Sequence, residues 1–328
     1  MAALLAGCGG DEAATERQAL TEAKGKPSAD AVARARIADG LRRGVEAAAK
    51  LGGDVEAAAM LDGWEAPLVE SSEPGGGERP MRMWSMSKVA TMVALLRGLG
   101  WGERPGAPPS PEVEDALQGA ITRSENCRQR RVVLELQRMA GSPAGARVAL
   151  ADVFTDVGAR ALPGSELEPP ESICLDYLQT QLEVRDPLAP ALLLGTSTWR
   201  ISDAVRLVHA LSVDAYGKSI SKQVLGLLAE PKLASREVQA GELTAPLDWG
   251  VGAALPGTPA YKAGWGGSLN GDFLAGQIVL AEVPGGGRLA IAAMFHPDAQ
   301  PSRDDPGITN APQAVELVLD SVYDAASR

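Results

Sequence analysis

The stretch MWSMSKVATMVALLRGLG, Met83 to Gly100, places Ser85 and Lys88 three residues apart at the mouth of a segment almost wholly apolar beyond them. In a helix, positions i and i+3 share a face, so the lysine amine comes within hydrogen-bond reach of the serine hydroxyl. Val89, Met92, Val93 and Leu96 follow at helical spacing, and Ala90, Ala94 and Leu95 make the other faces apolar. A helix apolar all round belongs in a core. A serine hydroxyl is a poor nucleophile until a neighbour removes its proton, and a lysine does that only when burial or another cation lowers its pKa. A buried helix start is such a setting. The plainer reading makes Ser85 a helix cap and Lys88 an ordinary first-turn residue, and the pair alone favours it, because so short a pattern recurs by chance.

The chain carries its own control, since Ser219-Ile-Ser-Lys222 is a second SxxK. Two companion motifs decide between them: Ser124-Glu-Asn126 reads as SxN, and Lys262-Ala-Gly264 reads as KxG in an apparent strand. Starting from Ser85, SxxK, SxN and KxG follow one another along the chain. Starting from Ser219, the only later SxN is Ser268-Leu-Asn270, which falls after the KxG, while Lys50-Leu-Gly52 precedes every SxxK. Lysine is scarce, eight against twenty-three arginines, yet two of the eight occupy motif positions. This ordered set resembles the motifs of the penicillin-recognising serine enzymes, the serine β-lactamases and D,D-peptidases, and is class A β-lactamase-like among them.

The resemblance covers roughly residues 30 to 328. It implies an α/β (α+β) fold with an antiparallel sheet built from both chain ends, flanking helices, and an all-helical lobe, about 81–245, inserted between the sheet segments. It also implies roles at the matching positions. Ser85 would be the nucleophile, Lys88 its base and Ser124 the proton relay. Asn126, Lys262, Gly264 and Trp265 would face the substrate, with the backbone N–H groups of Ser85 and Trp265 as the oxyanion hole. The implied substrate is a small molecule or peptide, a β-lactam or a peptidoglycan stem peptide, and no cofactor is called for.

The departures are as informative. Ala263 replaces the hydroxyl residue of the usual K-[TS]-G, which removes a group that helps bind a substrate carboxylate. Glu125, in the variable middle of SxN, reads as a tolerated change. No ExxLN glutamate exists; Glu183 stands at a plausible position, but its neighbours do not match and it reads as a solvated loop charge. Without a deacylating base an acyl-enzyme is long-lived, which favours a D,D-peptidase-like or slow penicillin-binding protein over an efficient β-lactamase. Two rivals are a catalytically weakened binder of wall fragments and an esterase on the same scaffold.

Composition narrows the classes. A net charge of −11 and a pI near 4.9 argue against a nucleic-acid partner, because phosphate binding needs a basic surface. Two histidines and three cysteines leave little for a metal site, and none is expected. His209 and His296 are read without a carboxylate and serine companion, so no Ser-His-Asp triad is expected. Met1 to Gly10 carry a Leu-Ala-Gly-Cys8 run that resembles a bacterial lipobox, either a truncated signal over residues 1–8 with Cys8 lipidated or a misassigned start, the plainer alternative being an incidental cysteine; a polar tether follows over 9–29. An exported, lipid-anchored envelope protein follows as the expectation, otherwise a monomer. Cys127 and Cys174 then remain as an even pair, either a disulfide or two buried thiols.

Periodicity places the elements. Helices are predicted over Ala31–Lys50, Glu112–Arg123, Cys127–Met139, Ala146–Val157, Ser221–Leu228 and the stretch after Asn310, with another that Ser202 caps. Val55–Leu61 and Ala66–Glu70 form a hairpin about Asp62-Gly63, and Trp249–Gly252, Ala260–Gly264, Phe273–Val283 and Leu289–Phe295 read as strands. The spacing of Ser85 and Ser124 is short for the class A branch, so a trimmed helical lobe is expected.

Overall fold

The computed structural model describes residues 28–77, 79–159, 198–230, 255–257, 259–266, 274–298 and 310–328. The lipobox Cys8, Cys174, Glu183 and the Trp249–Gly252 strand lie outside the described residues, as does all of the tether except Ser28 and Ala29. The first helix, α1 (Ala29–Ala49), contains a division of the chain by its contacts into Met1–Ala35 and Arg36–Arg328. The larger unit holds the sheet and the helices that cover it.

Within it α1 buries Ile37, Leu41, Val45 and Ala48, one apolar stripe at helical spacing. Gly52, at φ 87, turns the chain in a left-handed conformation into β1 (Gly53–Leu61). The predicted hairpin forms: β1 pairs antiparallel with β2 (Leu68–Ser71) across Asp62-Gly63. The other side of β1 pairs along its length with β7 (Gly287–Pro297), from Gly53 opposite Pro297 to Leu61 opposite Leu289. With β5 (Ala260–Gly266) and β6 (Leu274–Val283) the order is β2-β1-β7-β6-β5, antiparallel throughout. The sheet is therefore built from both chain ends.

Val55 to Met60 and Leu289 to Phe295 are buried without alternation, so both faces of these central strands are covered. The cover is α8 (Asn310–Ala326), packed on β6 and β7, and α6 (Ile201–Ser212), packed on β1, β6 and β7. α8 buries Val315, Val318, Leu319 and Val322 on one face. It crosses α1 at Gly40 and Gly44, where an added Cβ would stand 2.6 Å from Ala325 Cβ and 2.8 Å from Val318 Cα.

The helical lobe contributes α2 (Ser87–Gly98), α3 (Pro111–Thr122), α4 (Asn126–Met139), α5 (Pro143–Thr155) and α7 (Lys218–Leu228). Ser110 caps α3 by accepting from Val113 N, with Pro111 at its first position. Ser202 proves to lie inside α6; that helix is closed instead by Asp203, whose carboxylate accepts the Arg200 N–H at 3.2 Å. A two-stranded ladder of β3 (Met81–Arg82) and β4 (Thr198–Trp199) was not foreseen, since two residues carry no periodicity. It anchors the chain just before Ser85, and Trp199 packs edge-on against Phe154 at 4.6 Å.

The α1–α8 crossing has a direct test. Gly44→Ala forces backbone apart and is expected to destabilise by about 1–3 kcal/mol. Gly226→Ala, in α7 with nothing within 4 Å of the new Cβ, is expected to stabilise by about 0.5–1 kcal/mol through helix propensity. Urea midpoints of the two variants should move in opposite directions.

Candidate active site

Ser85 does not sit in the α-helix itself. It lies in a single 3-10 turn, Trp84–Met86, that leads into α2. Trp84 holds φ at 44, a left-handed backbone that a bulky aromatic rarely adopts, and such strain persists only where the surroundings over-determine it. Here Met86 N donates to Met83 O at 2.9 Å, and Ser87 Oγ donates to Trp84 O at 2.7 Å. Ser85 is half-buried, whereas Lys88, one turn on, is among the most deeply buried side chains.

The Lys88 amine meets Ser124, 36 residues away in sequence. Nζ donates to Ser124 O at 2.6 Å and to Ser124 Oγ at 3.3 Å. Among the described residues no hydrogen bond joins Lys88 to Ser85 Oγ, so the contact drawn from helical spacing is replaced by one across the fold. Ser124 is itself at φ 58, the left-handed region, which turns both its carbonyl and its hydroxyl to the same amine. Lys262, from β5, reaches the same hydroxyl: its Nζ donates to Ser124 Oγ at 2.8 Å and to Ala263 O at 3.0 Å. Burial pushes the Lys262 amine down to about 7.

β5 is an edge strand of the described sheet, and its Gly264 lies directly against the Ser85 turn. A Cβ there would stand 2.7 Å from Met83 O, 3.0 Å from Met86 N and 3.1 Å from Ser85 N. The glycine of KxG is thus a requirement of close approach: any side chain would push the edge strand off the Ser85 backbone. Four of the sequence-predicted residues, Ser85, Lys88, Ser124 and Lys262, together with Gly264, are assembled at one place. Asn126 opens α4 and Trp265 pairs with Ala275 in the β5–β6 ladder; their side chains lie outside the described residues. Of the rival SxxK, Lys222 is exposed on α7.

One expectation is corrected. His209 does have carboxylate and hydroxyl neighbours, its Nε2 lying 3.8 Å from Asp62 Oδ1 with Ser212 beside them. The hydroxyl donates to Asp62 and lies close to the His209 carbonyl rather than to the imidazole, and Asp62 also accepts from Arg288 N at 3.0 Å. The arrangement ties the β1–β2 turn, the end of α6 and the β6–β7 hairpin together; it is not a charge-relay geometry. Among the described residues no cluster of three or more His, Cys, Asp or Glu side chains is placed to hold a metal, and no helix is long and apolar enough to cross a membrane.

Chemically, a hydroxyl held between two buried amines beside a half-buried serine can pass a proton between the groups around it. Comparison with known proteins agrees on the scaffold. The fold matches the TLA-1 extended-spectrum β-lactamase at a TM-score of 0.58 and 15% identity, over 88% of this chain and 99% of that one. It matches a β-lactamase from Xanthomonas campestris pv. campestris at 0.55 and 16%, over 88% and 98%. A class A β-lactamase from Mycobacterium abscessus follows at 0.53 and 15%, over 85% and 98%. No family model and no curated protein matches the chain. The protein therefore has a class A β-lactamase-like α/β fold, at an identity where the likeness speaks for fold alone.

Lys262 links the site to stability. Unfolded, its amine titrates near 10.5; folded, near 7. Below pH 7 both states carry the proton and the burial penalty is full; between 7 and 10.5 only the unfolded chain holds it; above 10.5 neither does, and the penalty is gone. Lys262→Met is therefore expected to melt higher than the wild type, by most below pH 7, with the margin shrinking as pH rises. Thermal melts across that range check the sign.

Proposed function

We propose that this protein is a serine hydrolase that forms an acyl-enzyme on Ser85 with an amide substrate of the β-lactam or cell-wall peptide class. The observation that carries the reading is the Ser124 hydroxyl, within 3.3 Å of Lys88 Nζ and 2.8 Å of Lys262 Nζ, beside the Ser85 turn. Ser85 Oγ attacks the carbonyl carbon and gives its proton to Lys88, one turn on, whose amine turns from Ser124 toward the Ser85 hydroxyl in the substrate complex. The C–N bond breaks, and the leaving nitrogen takes a proton that passes through Ser124. Water then cleaves the ester, releasing the acid and restoring Ser85. The N–H of Ser85, against which Gly264 is packed, supplies an oxyanion donor. Lys262 adds positive charge beside a substrate carboxylate, and the motif positions of Asn126 and Trp265 support a role for both in substrate binding.

A second reading, a binder that acylates and turns over slowly, is favoured by Ala263. Its buried methyl, opposite Gln277 in the ladder, replaces the hydroxyl of the resembled motif. Incubation with a β-lactam followed by intact-mass spectrometry separates the readings. A single adduct on wild type, absent from Ser85→Ala, is expected; its decay marks a hydrolase and its persistence a penicillin-binding protein. Absence of any adduct while a simple ester is turned over would move the assignment to an esterase. The rate of adduct formation should inflect near pH 7, where Lys262 titrates, and Lys262→Arg, charged at every pH, should lose that inflection.

The Leu5-Ala-Gly-Cys8 run supports placing the protein outside the cytoplasmic membrane on a lipid anchor. Metabolic labelling with a fatty acid, expected in the wild type and lost in Cys8→Ser, tests that placement.

A further inference from the structure

Ser124 is the hinge of the site, and it stands in a backbone region that costs an L-residue about 1–2 kcal/mol. Something must hold it there. Its two chain neighbours are joined to each other over it: Arg123 Nε donates to Glu125 Oε1 at 2.8 Å and Arg123 Nη2 to Glu125 Oε2 at 3.4 Å. This is a paired-fork contact, the directional form of the Arg–carboxylate bond. Arg128, one turn into α4, reaches Glu125 Oε2 at 3.4 Å and also pairs with Asp115 of α3. The backbone is pinned in the same place, since Arg123 N and Glu125 N both donate to Gly119 O at 3.2 Å.

Gly119 completes the arrangement. It lies within α3, where glycine is unfavourable, yet a Cβ there would stand 2.6 Å from Glu125 Oε2 and 2.7 Å from Arg128 Cγ. The missing side chain is the slot in which the carboxylate rests. Glu125 is only 17% exposed, so these partners, more than water, satisfy its carboxylate oxygens. From the sequence Glu125 reads as a tolerated filler of SxN; the contacts around it say otherwise.

We propose that Glu125 is a positioning residue: its carboxylate, clamped by Arg123 and Arg128 over Gly119, keeps Ser124 left-handed so that its oxygens face Lys88 and Lys262. For catalysis the inference rests on the acyl-enzyme reading above, but the positioning itself does not. Without the clamp, Ser124 relaxes toward ordinary backbone and its hydroxyl leaves Lys262, whose charged form loses an acceptor. The Lys262 pKa then falls.

The test uses the full chain with 13C-labelled lysine, of which there are eight, and the Lys262 signal is assigned as the one missing from Lys262→Met. In Glu125→Gln the Lys262 titration midpoint is expected below the wild-type value, and β-lactam adduct formation slower by about 10- to 100-fold, the scale of an ångström of misplacement. Glu125→Asp is expected to recover part of both. An unchanged Lys262 midpoint in a folded Glu125→Gln overturns the positioning role, as does a loss of rate that merely tracks a loss of melting temperature. Should Glu125→Gln not fold, Arg123→Gln, on the more exposed side of the same clamp, is read identically. A wild type that forms no adduct while the midpoint still falls in the variant would sink the acyl-enzyme reading and leave the clamp standing.

Discussion

Two lysine amines withdrawn from water converge on one serine hydroxyl, and the geometry around them follows from that constraint. Removing an ammonium group from solvent costs several kcal/mol unless hydrogen bonds and charge adjustment compensate. Ser124 O, Ser124 Oγ and Ala263 O supply acceptors, and Lys262 compensates further by titrating near neutrality. Lys88 comes from a core helix, Ser124 from the turn before α4, and Lys262 from the edge strand of the sheet. The convergence exists only while the helical lobe and the sheet hold their register.

Close backbone approach maintains that register. Gly264 lets β5 lie against the Ser85 turn, and Gly40 and Gly44 let α1 settle into α8 on the far side of the sheet. Gly119 opens the slot beside Ser124. At each of these positions a single methyl would meet another atom within 3.0 Å, so precision is obtained by leaving side chains out. Strain gathers at the same place: of three described non-glycine residues with positive φ, Trp84 precedes Ser85 and Ser124 is the shared acceptor, while Asp214 occupies an ordinary turn. Strained backbone of this kind is held by its surroundings and is commonly found where chemistry is done.

Much of the scaffold was legible in the residues. Helical periodicity located α1, α3, α4 and α8 to within a few residues, because an amphipathic stripe and a Ser-Pro start are local properties. Apolar runs broken by Asp62-Gly63 announced the β1–β2 hairpin. The β3–β4 ladder was not legible, since two-residue strands have no period. Ser202 was misplaced as a cap because Asp203 does the capping from inside the helix. The His209 cluster escaped because Asp62, Ser212 and Arg288 are brought together by three different elements.

By itself the chain determined the order SxxK, SxN, KxG, the alternation of helix and strand, and hence the class of fold and the candidate site residues. Those are matters of spacing along the backbone, which propensity and periodicity control. Which group meets which was decided only in three dimensions. Lys88 turned to Ser124 across 36 positions rather than to Ser85 across three, and Lys262 reached the same hydroxyl across 138. Contacts at such separations are set by how helices and strands pack, and by which polar atoms are left facing one another once water is gone.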